Sequence, residues 1–301
     1  MARAFIFTAA LTFTALASIA SAQTDPVFTR PRFLESVRGV PGTLADAARS
    51  TAHKSNIAKA VAVVASTVAL YAGDDQIYAE AKRFGRRIDI APSHPTWSLK
   101  AGDVKLFYVP TTVSSALYYL GDGWTTMGIA GSFFAAGAIR GDNRALRTAS
   151  EITESMFALG LVTQTLKHAT GRQTPGAATA SRGEWHPFAP WREYSATTPK
   201  YDAFPSGHLA TAMATVTVIA WNYPDRHWIR PVGYSLMGVL GFAMVNNGVH
   251  WASDYPLALA IGGTVGAAAA RRGRPPSMTN GNAERIAPLI RRDALGVTMS
   301  W

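Results

Sequence analysis

Apolar residues recur at helical spacing along most of the chain, and capping residues or glycines interrupt them at intervals. This pattern predicts an all-α fold, a helical bundle. Asn56–Gly73 is expected to form one apolar helix that ends at the glycine, with Asp74–Asp75 capping the next. The remaining predicted helices span residues 75–87, 110–121, 124–141, 144–170, 207–222, 231–247 and 251–271.

The segments between these helices carry weaker signals. Residues 88–110 are expected to form a loop, because prolines and glycines are frequent there. Residues 171–204 form a longer irregular segment with several aromatic residues, and ordered loops of that length are usually functional. We divide the chain into an N-terminal helical region at 23–144, a catalytic core at 145–272 and a polar C-terminal tail at 273–301. The end of that tail alternates like a strand.

The first 22 residues have the pattern of a secretory signal peptide. Met1–Arg3 supplies a positive start, residues 4–20 are apolar or small, and Ala20–Ser21–Ala22 is a small-x-small cleavage site. We expect an exported protein that is periplasmic or membrane-associated. The alternative is an uncleaved membrane anchor.

Composition narrows the partners. The chain has a net charge of +10 and no cysteine, so disulfides and thiolate chemistry are excluded and anionic partners are favoured. Phosphate esters and anionic lipid surfaces fit this charge. Nucleic acid does not, because the basic residues are scattered. The mean hydropathy of +0.06 does not decide whether the protein enters a membrane. Residues 231–252 are long enough to span a bilayer. Asn246, Asn247 and His250 would be costly to place in lipid.

A first candidate for chemistry is Pro205–Ser206–Gly207–His208, directly before an apolar helix. The N-terminus of a helix binds anions through its free N–H groups, Ser206 can cap it, and Gly207 allows close approach. His208 then lies in the first turn. The alternative interpretation is an ordinary capped helix with a solvent-facing histidine.

Two further elements complete the set. His250 and Asp254 are four residues apart, so on a helix the carboxylate is expected to bond one imidazole nitrogen and leave the other free for attack. Lys167 lies at the end of a helix that stops at Gly171, and Arg172 follows.

In this order and spacing the elements resemble the superfamily of type 2 phosphatidic acid phosphatases, acid phosphatases and vanadium haloperoxidases (PAP2). Its motifs are K-x6-R-P, P-S-G-H and S-R-x5-H-x3-D, and the resemblance spans roughly residues 145–271. It implies a PAP2-type helical bundle that hydrolyses a phosphate monoester, of a lipid or a small molecule, without metal or cofactor. It also implies that His250 is the nucleophile, Asp254 its orienting acid and His208 the general acid. The phosphate would be held by Lys167, Ser206 and Gly207.

Two family arginines are replaced, by Thr174 and Met244. Losing a charge-assisted contact costs about 1.5–3 kcal/mol. Arg172 is expected to substitute for them, with Arg182 or Arg192 as other candidates. Three functions therefore stay open: an active phosphatase, a weakened or inactive phosphate-binding protein, and, least favoured, a vanadate-dependent haloperoxidase. Chance motifs in a helical membrane protein are a fourth interpretation, which three ordered elements disfavour.

Overall fold

A computed structural model describes residues 28–90, 92–93, 95–101, 104–273, 285–291 and 294–300. Within these ranges the side chains are described except at 99–108 and at 274–301. The expected signal peptide at 1–22 lies outside the described residues.

The described chain is all-α, as predicted, with two short β-hairpins. Its α-helices are α1 Glu35–Arg38, α2 Val40–Ala52, α3 Ile57–Arg87, α4 Val113–Tyr119, α5 Gly123–Arg140, α6 Asn143–Thr170, α7 Trp191–Ala196, α8 Gly207–Asn222, α9 Ile229–Asn246 and α10 Tyr255–Arg272. Short 3₁₀ turns occupy Lys54–Asn56, Thr198–Lys200 and Ala252–Asp254. The strands are β1 Thr96–Ala101, β2 Val104–Pro110, β3 Arg285–Arg291 and β4 Ala294–Ser300.

The core forms where α8 lies between α6, α9 and α10. The α8–α10 contact requires glycine: a Cβ atom on Gly262 would meet the carbonyl oxygen of Ala210 at 2.3 Å, and one on Gly266 would meet that of Ala214 at 2.8 Å. Two backbones at this separation bury Leu209 and Val265 in one apolar cluster. The packing fixes the N-terminal half of α8 against α10.

The predicted break at Gly73–Asp74 is wrong, because α3 runs unbroken from Ile57 to Arg87. A glycine inside a helix costs about 1 kcal/mol relative to alanine, which tertiary contacts can outweigh. Here the buried carboxylate of Asp74 bonds with Arg172 and Ser253 instead of capping a helix.

The expected loop at 88–110 is also corrected, since β1 and β2 pair as an antiparallel hairpin from Thr96 opposite Pro110 to Ala101 opposite Val104. Aromatic and β-branched residues between the prolines carry the strand signal that the loop prediction overlooked. In the tail, β3 and β4 pair in the same way. That pairing agrees with the strand-like alternation in the last residues.

The N-terminal half of α3 carries an exposed apolar stripe. Ile57, Val61, Val64 and Val68 are each at least 60% exposed and follow one another at helical spacing. Among the described residues, one segment, Lys54–Arg87, is long and apolar enough to cross a membrane, and none of its most apolar window is buried. Only the length and the composition of this segment support a membrane-spanning role.

Candidate active site

The N-terminus of α8 is built as the sequence predicts. Ser206 is the N-cap residue, in extended conformation, and its Oγ accepts a 3.4 Å hydrogen bond from Leu209 N–H. Ser206 is fully buried. The N-terminal end of a helix attracts anions, and His208 lies in the first turn of α8.

Lys167 reaches this end from the last turn of α6, which stops at Gly171 in the left-handed conformation, with φ 56°. A Cβ atom on Gly207 would lie 3.6 Å from Lys167 Nζ. The ammonium group therefore lies beside the first residue of α8. A helix N-terminus and a cation at this distance form one site for an anion.

Asp202 is a part of the site that the sequence interpretation missed. Its Oδ2 accepts a 2.8 Å hydrogen bond from Lys167 Nζ, and its Oδ1 accepts one of 2.8 Å from the Tyr194 hydroxyl. Asp202 lies four residues before Ser206, in the long segment that was expected to be functional. An acidic residue so close to an anion-binding helix end is the signal that would have identified it.

The structure brings His208 and His250 together. His208 Nδ1 lies 3.4 Å from His250 Nε2, and the ring centroids are 5.6 Å apart. His250 Nδ1 lies 2.8 Å from the Ala203 carbonyl oxygen. Because a carbonyl only accepts, Nδ1 carries the proton and Nε2 keeps its lone pair toward His208. Burial lowers the pKa of His250 to about 3, and the charge of Lys167 acts in the same direction.

Asp254 does not bond to His250 in the way the spacing predicted. His250 Nδ1 is 3.6 Å from Asp254 Oδ2, whereas the Trp251 N–H donates to that oxygen at 2.7 Å. The reason is local: His250 precedes the 3₁₀ turn Ala252–Asp254, so the two side chains are not stacked along a helix. Asp254 holds the backbone next to His250. Burial raises the pKa of Asp254, and the neighbouring Arg172 guanidinium opposes that rise.

Arg172 also differs from expectation, because it lies beneath the site, fully buried. Its Nη1 donates to Asp254 at 2.6 Å and Ser253 Oγ at 2.7 Å, and its Nη2 donates to Asp74 at 2.7 Å. Nη2 and Nε both donate to the Arg182 carbonyl oxygen. A guanidinium has five N–H groups, and these contacts use all of them. The geometry points to a positioning role rather than a direct bond to phosphate.

The two replaced arginine positions supply no cation. Met244 is fully buried within the same apolar cluster as Leu209, and Thr174 is 7% exposed with its N–H bonded to the Pro199 carbonyl. The Arg182 guanidinium lies over the Tyr71 ring on α3, 5.4 Å from its centroid. Among the described residues, no group of three or more His, Asp or Glu side chains is arranged to hold a metal ion.

Comparison with known proteins finds the PAP2 superfamily over residues 149–274, a match that supports PAP2-like membership for this part of the chain. All seven site residues that the sequence predicts lie within residues 149–274, whereas Asp74 lies outside this range. A lipid A 1-phosphatase from Porphyromonas gingivalis is 38% identical over 66 residues, which is 22% of this chain and 15% of that protein.

Two solved structures are more distant. The crystal structure of LpxE from Aquifex aeolicus covers 52% of this chain and 83% of its own, at 17% identity and a TM-score of 0.39. A transmembrane PAP2 type phosphatidylglycerolphosphate phosphatase from Bacillus subtilis covers 83% of this chain and 100% of its own, at 13% identity and a TM-score of 0.44.

Proposed function

We propose that the protein is a phosphatase that hydrolyses a phosphate monoester through a phosphohistidine on His250. The observation that carries this proposal is the pairing of His250 Nε2 with His208 Nδ1 at 3.4 Å, beside the anion-binding end of α8. A neutral imidazole whose other nitrogen is held by a carbonyl is a suitable nucleophile.

The reaction has two steps. His250 Nε2 attacks phosphorus, the bond from phosphorus to the ester oxygen breaks, and His208 donates a proton to the departing alkoxide. Water then attacks the phosphohistidine, His208 accepts the proton of that water, and inorganic phosphate leaves. Lys167, the Ser206 hydroxyl and the backbone N–H of Gly207 hold the phosphoryl oxygens.

The substrate class we propose is a lipid phosphate. Two observations support this class. A short stretch of the chain is similar to a lipid A 1-phosphatase, and α3 carries an exposed apolar stripe. We also propose that the protein is exported and membrane-associated. Fractionation of cells, followed by salt and alkali extraction of the membranes, tests that location.

Turnover of a phosphate-ester panel tests the function. The panel should include an aryl phosphate, an alkyl phosphate and a lipid phosphate in mixed micelles, with a chelator present throughout. Rapid alkaline quenching with a ³²P-labelled ester should trap label on His250, because phosphohistidine is stable in base. Label on another residue would refute the histidine mechanism.

A phosphate-binding protein with little or no turnover is the second candidate. It is favoured by the loss of cations at Thr174 and Met244 and by the complete use of the Arg172 donors within the protein. Phosphate binding without hydrolysis of any ester in the panel would favour it over the phosphatase.

A further inference from the structure

The described site has an unusual charge balance for a phosphate site. Lys167 is paired with Asp202, at 2.8 Å, and Arg172 is paired with both Asp74 and Asp254. Two cations therefore face three carboxylates. A phosphate monoester above its second pKa of about 6 carries two negative charges, and this arrangement offers no surplus positive charge to balance them.

Asp202 is placed where a bound phosphate would meet it. Its partner Lys167 lies beside Gly207, at the anion-binding end of α8. The side chain of Asp202 is 25% exposed, whereas that of Lys167 is only 7% exposed. The bond from Tyr194 holds the carboxylate in this position. An anion that approaches Lys167 must therefore either lie next to Asp202 or displace it.

From this we infer that Asp202 is a specificity-determining residue that selects phosphate groups carrying one proton over fully ionised ones. The inference rests on the proposed function for its substrate class. An ionised carboxylate can only accept hydrogen bonds, so it can bond to the P–OH group of a phosphate monoanion. A dianion has no such proton, and its charge repels the carboxylate beside it.

Other titratable groups also face Asp202. They are Lys167 from α6, Tyr194 from α7, Tyr118 from α4 and His250 from the segment before the 3₁₀ turn. Burial raises the pKa of Asp254 to about 7, which lies between the two pH values of the test, so the test needs an anion whose charge is constant. Sulfate stays a dianion across the range in which phosphate changes its charge.

The experiment is calorimetric titration of the full chain with inorganic phosphate and with sulfate, each at about pH 5.5, where inorganic phosphate is almost entirely a monoanion, and at about pH 8.5, where it is almost entirely a dianion. Wild type should bind phosphate about tenfold more tightly at the lower pH and sulfate weakly at both, since tenfold corresponds to about 1.4 kcal/mol. Asp202→Asn should lose the preference for low pH and bind sulfate about tenfold more tightly at both.

Three variants make the result specific. Asp202→Glu keeps the charge and should keep the wild-type preference, and Asp202→Ala gives a second neutral variant if Asp202→Asn does not fold. Glu193→Gln is the matched control, because Glu193 lies in the same segment but bonds to Tyr201. An unchanged sulfate affinity in both neutral variants, or equal binding of sulfate and phosphate by wild type, would overturn the inference.

Binding is read without turnover, so the two proposals fail separately. A chain that hydrolyses no ester but shows the Asp202 effect refutes the phosphatase and keeps the anion selectivity. A chain that hydrolyses esters but shows no Asp202 effect keeps the phosphatase and refutes the anion selectivity. Failure of wild type to bind either anion at either pH would refute the selectivity as well.

Discussion

The Ser206 N–H donates a 3.1 Å hydrogen bond to the carbonyl oxygen of Asp254, which joins the start of α8 to the 3₁₀ turn before α10. Both residues are fully buried, so this bond is protected from water. It fixes the backbone that carries His208 relative to the backbone that follows His250. The close approach of the two imidazoles thus depends on main-chain contacts as much as on the histidines.

Replacing His250 with alanine should abolish phosphatase turnover, with kcat falling at least about 1000-fold, because the nucleophile is lost. Initial rates on an aryl phosphate measure this. His53→Ala is the control, since His53 is exposed beyond the end of α2 and bonds only locally to Ser55. A His250→Ala protein with wild-type turnover would contradict the histidine mechanism.

His208→Asn should damage hydrolysis in proportion to how strongly the leaving group needs a proton. General acid catalysis contributes about 100- to 10,000-fold, and an alkoxide needs it much more than a nitrophenolate. The kcat for an alkyl phosphate should therefore fall much further than the kcat for nitrophenyl phosphate. Equal losses on both esters would show that His208 has a different role.

The sequence predicted most of the helices because their apolar patterns are long and their caps are local. Gly207–Asn222 matches α8 at both ends, since Ser206 caps the helix in the structure as it does in the sequence pattern. The unbroken α3 was not predictable in that way. What keeps Asp74 inside a helix is its contact with Arg172, a residue 98 positions away, which no local pattern reveals.

In the candidate site, too, local motifs were predictable from the sequence and contacts between distant parts of the chain were not. The motifs identified His208, His250, Lys167 and Ser206, which the structure places around one helix end. They did not reveal that the Ala203 carbonyl, rather than Asp254, accepts the hydrogen bond from His250 Nδ1. That contact is made by a main-chain atom, and main-chain atoms leave no signature in the sequence.

Asp74→Asn should weaken both stability and catalysis, although Asp74 lies outside the residues that match PAP2. Breaking a buried ion pair typically costs about 3–5 kcal/mol, and Arg172 would then hold Asp254 less firmly. We expect a lower urea midpoint and a kcat reduced about tenfold or more with little change in KM, because positioning rather than binding is lost.

Asp75→Asn is the matched control for Asp74→Asn. Asp75 is the next residue on α3 but is exposed, and it bonds to Ser181 and Arg182 in the long segment. It should change the urea midpoint and kcat much less. Equal effects from the two variants would show that Asp74 has no particular link to the site.

The stability of wild type relative to His250→Gln should depend on pH. The pKa of His250 is about 3 in the folded protein, below its ordinary value of 6.5, so between these values only the unfolded chain takes up the proton. The contribution of neutral His250 to the free energy of unfolding is fully present above the ordinary pKa of 6.5. It is lost as the pH falls toward the pKa of His250 in the folded protein. Wild type should lose about 1.4 kcal/mol per pH unit relative to the variant.

Urea unfolding of both proteins at about pH 7 and about pH 5 measures this difference. The raised pKa of Asp254 contributes with the opposite sign, since a carboxyl that protonates more readily when folded gains stability as pH falls. Asp254 is present in both proteins, so its contribution largely cancels in the comparison. A difference that does not change with pH would mean that His250 titrates alike in the folded and unfolded chains.

Restoring the family arginine at position 244 should destabilise the protein rather than activate it. Met244 is fully buried and packs in the cluster that includes Leu209, so Met244→Arg would place a charge among apolar side chains. A loss of several kcal/mol in the free energy of unfolding is expected, visible as a large drop in Tm. Met127→Arg on α5 is the control, because Met127 is 51% exposed and the same change there should be nearly neutral. Thermal melts of both variants with and without phosphate decide the matter. If Met244→Arg keeps the wild-type Tm and gains turnover, then the core around position 244 opens toward the site, and the missing charge was what limited catalysis.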